Sequence, residues 1–245
     1  MLAGCPFQLS ERAIHVWALD LQPCDSLAAH FEPVLSRDEM ERARRFRFDR
    51  LRYAFVITRG ALRYLLGRYL NVTPAGIRFD YGSKGKPAVP SAAGIEFNLA
   101  DSGDLAAFAF TVGCPVGIDL EQVHPLDHAP EIASRFFCAE ESAEILSLPP
   151  GEREAAFFRC WTRKEAYLKA IGDGLSAPLD QFRVTVQPNQ PARFLHIGHD
   201  PQAAEAWTLD DLSLAPNYAA ALAYRDRPRA VSIFAIADPR ELHPR

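Results

Sequence analysis

Two acidic residues in the middle of the sequence have the spacing expected of a magnesium site. Asp119 and Glu121 lie in Val-Gly-Ile-Asp-Leu-Glu, an alternating segment that predicts a strand with both carboxylates on one face and Ile118 and Leu120 on the other. Like charges at this spacing repel, so both must face water or a cation. Oxygen-only ligands favour Mg²⁺ or Mn²⁺ over zinc. A solvent-exposed strand end is the alternative.

A second charged pair lies on a predicted helix over residues 157–175. Glu165 and Lys169 are one turn apart, and Gly172 and Gly174 predict the end of the helix. The apolar residues recur near helical spacing and predict a buried stripe: Phe157, Trp161, Leu168 and Ile171. A solvated Glu–Lys pair would stabilise the helix by only about 0.2–0.5 kcal/mol. A partnership with the distant carboxylates is the competing interpretation.

The distribution of lysine indicates a second anion-binding region. The chain has 23 arginines and four lysines, at positions 84, 86, 164 and 169. A compact ammonium suits a phosphate or an active-site carboxylate where a planar guanidinium does not. Lys84 and Lys86 lie in the predicted loop 81–87, whose glycines allow close backbone approach to a ligand. A flexible surface turn explains this loop equally well.

Seven arginines lie within residues 37–52, after a helix start at the capping box of Ser36 and Glu39. The seven are Arg37, Arg42, Arg44, Arg45, Arg47, Arg50 and Arg52. They exceed what local acidic residues can neutralise, so an anionic ligand competes with a solvated helix face. Nucleic acid is a third option, although the interleaved aromatic residues fit helix packing as well as base stacking.

The bulk composition is that of a globular protein. A chain of 245 residues forms one large domain or two smaller ones, and 48% hydrophobic and 24% charged content are ordinary. The net charge of −4 argues against bulk attraction to nucleic acid or anionic membranes. The start of the sequence, through Cys5, lacks a signal-peptide pattern. Five cysteines without paired spacing predict neither a disulfide framework nor a zinc site, so we expect a reduced cytoplasmic setting.

The remaining periodicity predicts alternating strands and helices. Helical patterning covers residues 36–70, with a break near Asp49, and residues 132–148, with Phe136, Phe137 and Ile145 inward. Strands are predicted at residues 13–21, 95–104, 105–111, 116–121, 179–187, 193–197, 218–224 and 231–237.

The middle and the end of the chain contain similar sequences. Two hairpin-like stretches, residues 106–120 and 219–233, repeat at an offset of 113 positions. At that offset Asp119 corresponds to Ser232 and Glu121 to Phe234, so the carboxylates occur in one copy only. This predicts two similar halves with a single site at the seam.

Four motifs in order resemble the Sfp-type 4′-phosphopantetheinyl transferases. The Gly-Ile-Asp-x-Glu strand followed some forty residues later by Trp-x-x-Lys-Glu-Ala-x-x-Lys is the most specific part of this resemblance. The motifs are Gly85-Lys86-Pro87, Phe97-Asn-Leu-Ala-Asp-Ser-Gly103, Gly117-Ile-Asp-Leu-Glu121 and Phe158 through Leu175, including Trp161, Lys164 and Glu165.

The resemblance implies an α+β fold of two similar α/β halves in pseudo-twofold arrangement, here residues 1–113 and 114–245, in a monomer. It implies transfer of the phosphopantetheine arm of coenzyme A to a serine of an acyl or peptidyl carrier protein, with Mg²⁺ and release of adenosine 3′,5′-bisphosphate. Asp119, Glu121 and Glu165 would be the metal carboxylates. Glu165 would accept the serine proton, directly or through a metal-bound water. Lys169 would lie near the pyrophosphate.

Coenzyme A itself would be held mainly by the N-terminal half. By position, the expected contacts are Arg42, Arg45, Arg52, Lys86, Asp101 and Ser102, together with Lys169. The chain departs from the family at Ala100-Asp101, where Ser-His is common. An ionised aspartate cannot donate to a phosphate. Either Ser102 and backbone amides replace the histidine, or Asp101 faces a metal-bound water or the adenosine.

Two other functions fit parts of the pattern. A non-catalytic anion-binding or nucleic-acid-binding module would use residues 37–52, and its binding would weaken steeply with salt and need neither Mg²⁺ nor Asp119. A Mg²⁺-dependent phosphohydrolase would use the carboxylates to activate water and would need no carrier protein.

Overall fold

The computed structural model describes residues 7–21, 24–82, 84–90, 94–172, 178–198 and 202–242. Its helices are α1 Asp25–Phe31, α2 Arg37–Ala43, α3 Asp49–Leu70, α4 Ala129–Phe136, α5 Ala139–Ser147 and α6 Pro150–Ile171. Its strands are β1 Ala13–Asp20, β2 Asp80–Tyr81, β3 Pro87–Ala88, β4 Ile95–Ser102, β5 Leu105–Val112, β6 Val116–Gln122, β7 Phe182–Val184, β8 Phe194–Ile197, β9 Thr208–Asp211, β10 Tyr218–Tyr224 and β11 Ala230–Ile236. The predicted α+β class is confirmed.

Two sheets organise these elements. The first has the strand order β11-β1-β5-β4 and the second has the order β6-β10-β9. β1 pairs with β11 in parallel and with β5 in antiparallel, and both partners of β10 are antiparallel to it. The short pairs β2-β3 and β7-β8 form separate hairpins. The chain therefore leaves the first sheet after β5, builds the second, and returns to the first with β11.

The described elements before and after the β5–β6 turn follow the same order. β1, α1, α2, α3, β4 and β5 are matched by β6, α4, α5, α6, β9 and β10. The strand orders β1-β5-β4 and β6-β10-β9 also match. A boundary at residues 113 and 114 falls in this turn, although β11 belongs to the first sheet. The division into two domains stays a prediction.

Three apolar clusters fill the described part of the molecule. One lies between α3 and the first sheet, and a second lies between α6 and the second sheet. The third joins the other faces of both sheets, with Ile14 and Val16 of β1 against Ile118 and Leu120 of β6. The predicted alternation of β6 is thus confirmed, because Ile118 and Leu120 lie on this face. Each fully buried aliphatic side chain contributes roughly 1.5–3 kcal/mol.

Several predicted elements agree closely with the structure. The strands over residues 13–21, 193–197 and 218–224 are present within one residue at each end, and α3 begins at the predicted break, Asp49. Ser36 and Glu39 form the predicted capping box. Gly172 ends α6 at φ +80°, a conformation that favours glycine. Gly174 lies outside the described residues. No described helix has the length and apolar character needed to cross a membrane.

Other predictions were wrong. The single helix over residues 132–148 is two helices, because Phe137 and Cys138 are extended and Cys138 starts a new capping box with Glu141. Phe137 and Ile145 are buried as predicted, whereas Phe136 is 43% exposed. The two hairpin-like stretches do not form hairpins: β6 pairs with β10, and β11 pairs with β1. Residues 179–187 contain only the short strand β7 after a 3₁₀ turn.

Candidate active site

Helix α6 lies directly on β6 at Gly117. A Cβ atom at this position would overlap the Ala166 carbonyl oxygen and the Ala170 amide nitrogen of the helix. The missing side chain lets the two backbones touch. The residues of α6 around Ala166 and Ala170 therefore lie beside the carboxylates that follow Gly117 on β6.

Asp119 and Lys169 form an ion pair across this contact. Lys169 Nζ donates to Asp119 Oδ1 over 2.7 Å, and Asp119 is only 5% exposed. The other oxygen, Oδ2, is buried and has no hydrogen-bond partner. Burial raises the pKa of Asp119 to about 6, although Lys169 opposes the shift. The ammonium of Lys169 thus bonds a distant strand. This favours a partnership of Glu165 and Lys169 with the carboxylates of β6 over a solvated pair on the helix surface.

Glu165 lies one turn before Lys169 and faces the same carboxylates. It is 8% exposed, and its Oε1 is buried without a hydrogen-bond partner. Its pKa is raised to about 7, first by burial and then by the charge of Asp119; Lys169 opposes the shift and Glu121 adds to it. The fold therefore brings together the three carboxylates that the sequence places on a strand and a distant helix.

Glu121 is held by a residue of the first sheet. Ser102 Oγ donates to Glu121 Oε2 over 2.7 Å and accepts from the amide nitrogen of Gln122 over 3.2 Å. The hydroxyl group of Ser102 is therefore engaged with β6. The predicted contact between Ser102 and coenzyme A would require this hydroxyl to change partner.

The donors at this site fit a hard divalent cation. Among the described residues, no group of three His, Cys, Asp or Glu side chains is arranged to hold an ion as it stands. Asp119 Oδ2 and Glu165 Oε1 are nevertheless buried acceptors without partners, which is costly unless a cation or donor approaches them. Mg²⁺ takes few protein ligands and completes its shell with water and phosphate oxygens. The carboxylates present suit that mode of binding.

A cavity of about 480 Å³ adjoins the carboxylates and has the size of a small-molecule site. Lys169 lines it, so the ammonium that bonds Asp119 also borders the cavity. The other lining residues are Arg42, Phe46, Leu51, Ala54, Phe55, Thr58, Arg59, Tyr81, Gly85, Pro87, Leu99 and Asp101. This mixture of cations and aromatic rings suits an anionic ligand with a flat or apolar part.

Asp101 is the acidic residue among those that line this cavity. Its carboxyl group reaches the open space yet is surrounded by protein, and burial raises its pKa, while Lys169 and Arg42 oppose the shift. Arg42 also packs its guanidinium 5.2 Å from the centre of the Phe55 ring. The structure thus places Asp101 among cations on the cavity wall.

Comparisons with known proteins show the family of this chain. Residues 115–223 match the family model of the 4′-phosphopantetheinyl transferase superfamily. The chain is 39% identical over 213 residues to 4′-phosphopantetheinyl transferase HetI of Nostoc sp., which covers 86% of each protein. It is 30% identical to 4′-phosphopantetheinyl transferase Sfp of Bacillus subtilis over 206 residues, covering 83% of this chain and 88% of that protein.

The chain belongs to the 4′-phosphopantetheinyl transferase family. The resemblance found in the four sequence motifs is therefore confirmed. A solved structure, holo-[acyl-carrier-protein] synthase of Thermotoga maritima, covers 46% of this chain and 64% of its own at 20% identity, with a TM-score of 0.38, which is too low to support an inference.

In this transferase Lys86 points away from the cavity that its neighbours line. Gly85 and Pro87 border the cavity, whereas Lys86 Nζ donates to the carbonyl oxygens of Val116 over 3.1 Å and Ala170 over 3.0 Å. Lys86 therefore links the turn between β2 and β3 to β6 and to the last turn of α6. A contact with a coenzyme A phosphate stays a prediction and would require different hydrogen bonds.

The arginines of residues 37–52 have separate roles. Arg42 lines the cavity, whereas Arg45 is exposed and Arg52 pairs with Asp49 over 3.1 Å, and neither is among the described residues that line it. Arg37 pairs with Glu41 and Arg50 with Asp104. Acidic partners therefore pair with three of the seven arginines, two of them from the same segment and the third from the turn between β4 and β5, which weakens the case for an extended anion-binding face.

Arg59 and Tyr81 are residues of the cavity wall that the sequence analysis did not predict as part of the site. Arg59 is 6% exposed, lies 3.1 Å from Glu39 and donates to the hydroxyl of Tyr81 over 2.8 Å. Both Arg59 and Tyr81 line the cavity. The available signal was Glu39, because a capping-box carboxylate that is also buried requires a cation from another helix.

Lys164, in the Trp-x-x-Lys-Glu-Ala-x-x-Lys motif on α6, has a structural role. Its side chain is fully buried, Nζ lies 2.8 Å from Glu141 Oε2, and it donates to the carbonyl oxygens of Leu179 and Phe182. The confinement of lysine to two regions thus has a partly different cause from the one predicted, since Lys86 and Lys164 both bind backbone carbonyl groups.

Proposed function

We propose that this transferase moves the 4′-phosphopantetheine arm of coenzyme A to a serine of an acyl or peptidyl carrier protein where the cavity meets Asp119, Glu121 and Glu165. The proposal includes Mg²⁺ dependence and the release of adenosine 3′,5′-bisphosphate. The main support for the proposal is Lys169, which both lines the cavity and bonds Asp119. A pyrophosphate held at Lys169 would lie beside the carboxylates.

The cavity would hold the nucleotide part of coenzyme A. Arg42 and Lys169 would donate to phosphate oxygens, and the rings of Phe46 and Phe55 would cover the flat base. Asp101, an acceptor when ionised, would bond a hydroxyl or amino group of the adenosine rather than a phosphate. Arg45, Arg52 and Lys86 remain proposed contacts: Arg45 is exposed, whereas Arg52 and Lys86 would have to leave their present partners.

Asp119, Glu121 and Glu165 would hold the divalent cation through carboxylate oxygens. When bound, the cation supplies charge neutralisation at the pyrophosphate, which is the main requirement of phosphoryl transfer. Three carboxylates with one divalent cation leave a net negative charge. Lys169 offsets it, because its ammonium already neutralises Asp119 and borders the cavity.

The reaction forms a bond between the carrier serine oxygen and the phosphorus next to the pantetheine arm, and breaks the bond from that phosphorus to the oxygen of the departing adenosine bisphosphate. The serine proton must leave as the new bond forms. We assign its acceptance to Glu165 Oε1, which is buried and has no partner. Burial raises the pKa of this carboxylate to about 7 in the metal-free protein, and a cation bound beside it would lower that pKa.

Three further properties belong to this proposal. The protein acts in the cytoplasm, where coenzyme A and reduced thiols are available. It acts as a monomer, because both sets of elements needed for the site come from one chain. The site lies at the seam of two halves, residues 1–113 and 114–245.

The test is a mass measurement on an apo carrier protein incubated with coenzyme A and Mg²⁺. We expect a mass gain of one phosphopantetheine on the carrier serine, with none after chelation or in Asp119→Asn. Asp238→Asn is the matched control, because Asp238 forms an exposed pair with Arg240 far from β6 in sequence and should leave transfer unchanged.

The outcomes separate the competing functions. Unmodified carrier with phosphate release from coenzyme A would indicate the phosphohydrolase. Binding of polyanions that falls steeply with salt, without carrier modification across fatty-acid, polyketide and nonribosomal peptide carriers, would contradict transfer.

A further inference from the structure

The two sheets meet where β4 lies against β6. These are edge strands of different sheets, and side chains of β4 bond the backbone of β6. Asn98 Oδ1 accepts from the amide nitrogen of Ile118 over 3.0 Å, and Ser102 Oγ accepts from that of Gln122 over 3.2 Å. These two hydrogen bonds flank the segment of β6 that carries Asp119 and Glu121.

Ser102 differs from Asn98 because it also bonds a carboxylate of the site. The hydroxyl of Ser102 accepts from Gln122, so its single proton is free to be donated, and it goes to Glu121 Oε2 over 2.7 Å. This bond resembles the one from Lys169 to Asp119 Oδ1. In both carboxylates one oxygen is held by a protein donor, and the other is left for a ligand.

We propose that Ser102 is a positioning residue, which orients Glu121 toward the cation and does not contact coenzyme A. Since Ser102 lies on β4 of the first sheet and Glu121 on β6 of the second, one sheet sets the geometry of a carboxylate carried by the other. This inference rests on the proposed role of Glu121 in cation binding. Partners that orient ligating carboxylates typically change metal affinity by roughly 10–100-fold when removed.

The test measures Mn²⁺ binding to the full chain by electron paramagnetic resonance of the free ion, with coenzyme A present. We expect Ser102→Ala to weaken Mn²⁺ binding by about tenfold or more. Ser102→Thr, which keeps the hydroxyl, should bind Mn²⁺ as the wild type does. Coenzyme A affinity in chelator, measured by calorimetry, should change less than about twofold in either variant. The reason is that Ser102 makes no hydrogen bond to a coenzyme A phosphate that the substitution could remove.

Two control variants exclude a merely structural effect. Asn98→Ala removes the other β4–β6 bond, and Ser142→Ala removes a buried hydroxyl on α5 that bonds Ser134. If Asn98→Ala weakens Mn²⁺ binding as much as Ser102→Ala does, loosening of the strand contact explains the result and the proposal is overturned. If Ser102→Ala does not fold, Ser102→Cys keeps a weaker donor and should give a smaller loss of affinity.

A further variant, Glu121→Gln, separates this inference from the proposed function. If Glu121→Gln weakens Mn²⁺ binding and Ser102→Ala does not, the positioning role alone is wrong. If Glu121→Gln has no effect, Glu121 is not a cation ligand and both proposals fail. A loss of coenzyme A affinity in chelator for Ser102→Ala would assign the serine to the substrate instead. In the double variant, we expect no further loss beyond Glu121→Gln, because the two residues act through one carboxylate.

Discussion

Helices α3 and α6 occupy matching places on the two sheets. Each forms a buried ion pair with the short helix that precedes it. Each has 22 residues and follows a short helix that begins with a capping box. Glu39 of the first capping box pairs with Arg63 of α3 over 2.7 Å, and Glu141 of the second pairs with Lys164 of α6 over 2.8 Å. Arg63 and Lys164 also donate to carbonyl groups in the segments that follow their helices.

The helix-facing sides of β1 and β6 differ in chemistry. β1 presents Trp17 and Leu19, both fully buried in the apolar cluster with α3. β6 presents Asp119 and Glu121 toward the face covered by α6, where Lys169 bonds Asp119. The Glu39–Arg63 and Glu141–Lys164 pairs support the fold in both halves, whereas the carboxylates of β6 have apolar residues as their counterparts on β1.

The largest effect is expected from breaking the buried ion pair that occurs in each half. Lys164→Met leaves the fully buried Glu141 without its cation, so the free energy of unfolding should fall by about 3–5 kcal/mol, as measured by urea denaturation. Arg63→Met should cost a similar amount in the first half. Arg37→Ala, which breaks an exposed pair, should cost at most about 1 kcal/mol. A stable Lys164→Met protein that lost transfer would show that Lys164 serves the chemistry.

The next prediction concerns a charge found in one half only. Glu165→Gln removes the carboxylate that would accept the serine proton, so we expect kcat for carrier modification to fall by roughly 10²-fold or more. Glu152→Gln, at the exposed start of the same helix, should leave kcat unchanged. Full activity of Glu165→Gln with unchanged Mn²⁺ binding would contradict the proposed base.

The close backbone contact between β6 and α6 at Gly117 can also be tested. Gly117→Ala places a methyl group against the backbone of α6, and overpacking of this kind costs about 1–3 kcal/mol of unfolding free energy. Gly151→Ala, where a Cβ would meet nothing within 4 Å, should be neutral or slightly stabilising. Equal stability of both variants would mean that α6 does not lie on β6 as described.

The last prediction concerns pH. The pKa of Glu165 is about 7 in the folded protein against 4.5 for an ordinary glutamate, so the folded state binds more protons between these values. Metal-free protein should therefore lose unfolding free energy as pH rises from about 4.5 to 7, and the loss should be complete above 7. Glu165→Gln should show a shallower fall in the same window, measured by urea denaturation in chelator. An identical slope in both proteins would remove the argument that burial tunes this carboxylate.

The local elements were predictable where a single periodic pattern determined them. Strand β6 and the start of α3 follow directly from alternation and from the break at Asp49. The pairing of strands was not predictable in the same way. β5 and β6 are adjacent in sequence and join different sheets, because their partners β1 and β10 come from distant parts of the chain. Phe136 was misplaced because Cys138 begins a second helix in a new direction.

The site was predictable in its carboxylates and less so in its cations. Asp119 and Glu165 carry a strong motif, and the fold brings them together. Lys86 and Ser102 lie in motifs as well, yet their polar groups bond β6 and α6 in place of the cavity. A motif fixes which residues are retained, but the direction of a side chain depends on contacts between segments far apart in sequence.

Strand β11 has a consequence for biosynthesis. It is the last strand among the described residues, and it covers the edge of β1, the first described strand, in a parallel pairing of Ala13 with Ala230, 217 positions apart. Until residues 230–236 have been made, β1 presents an open edge that can pair with other chains. The first sheet can therefore be completed only after these residues have been made, and fragments that end before β11 should require a chaperone or form aggregates.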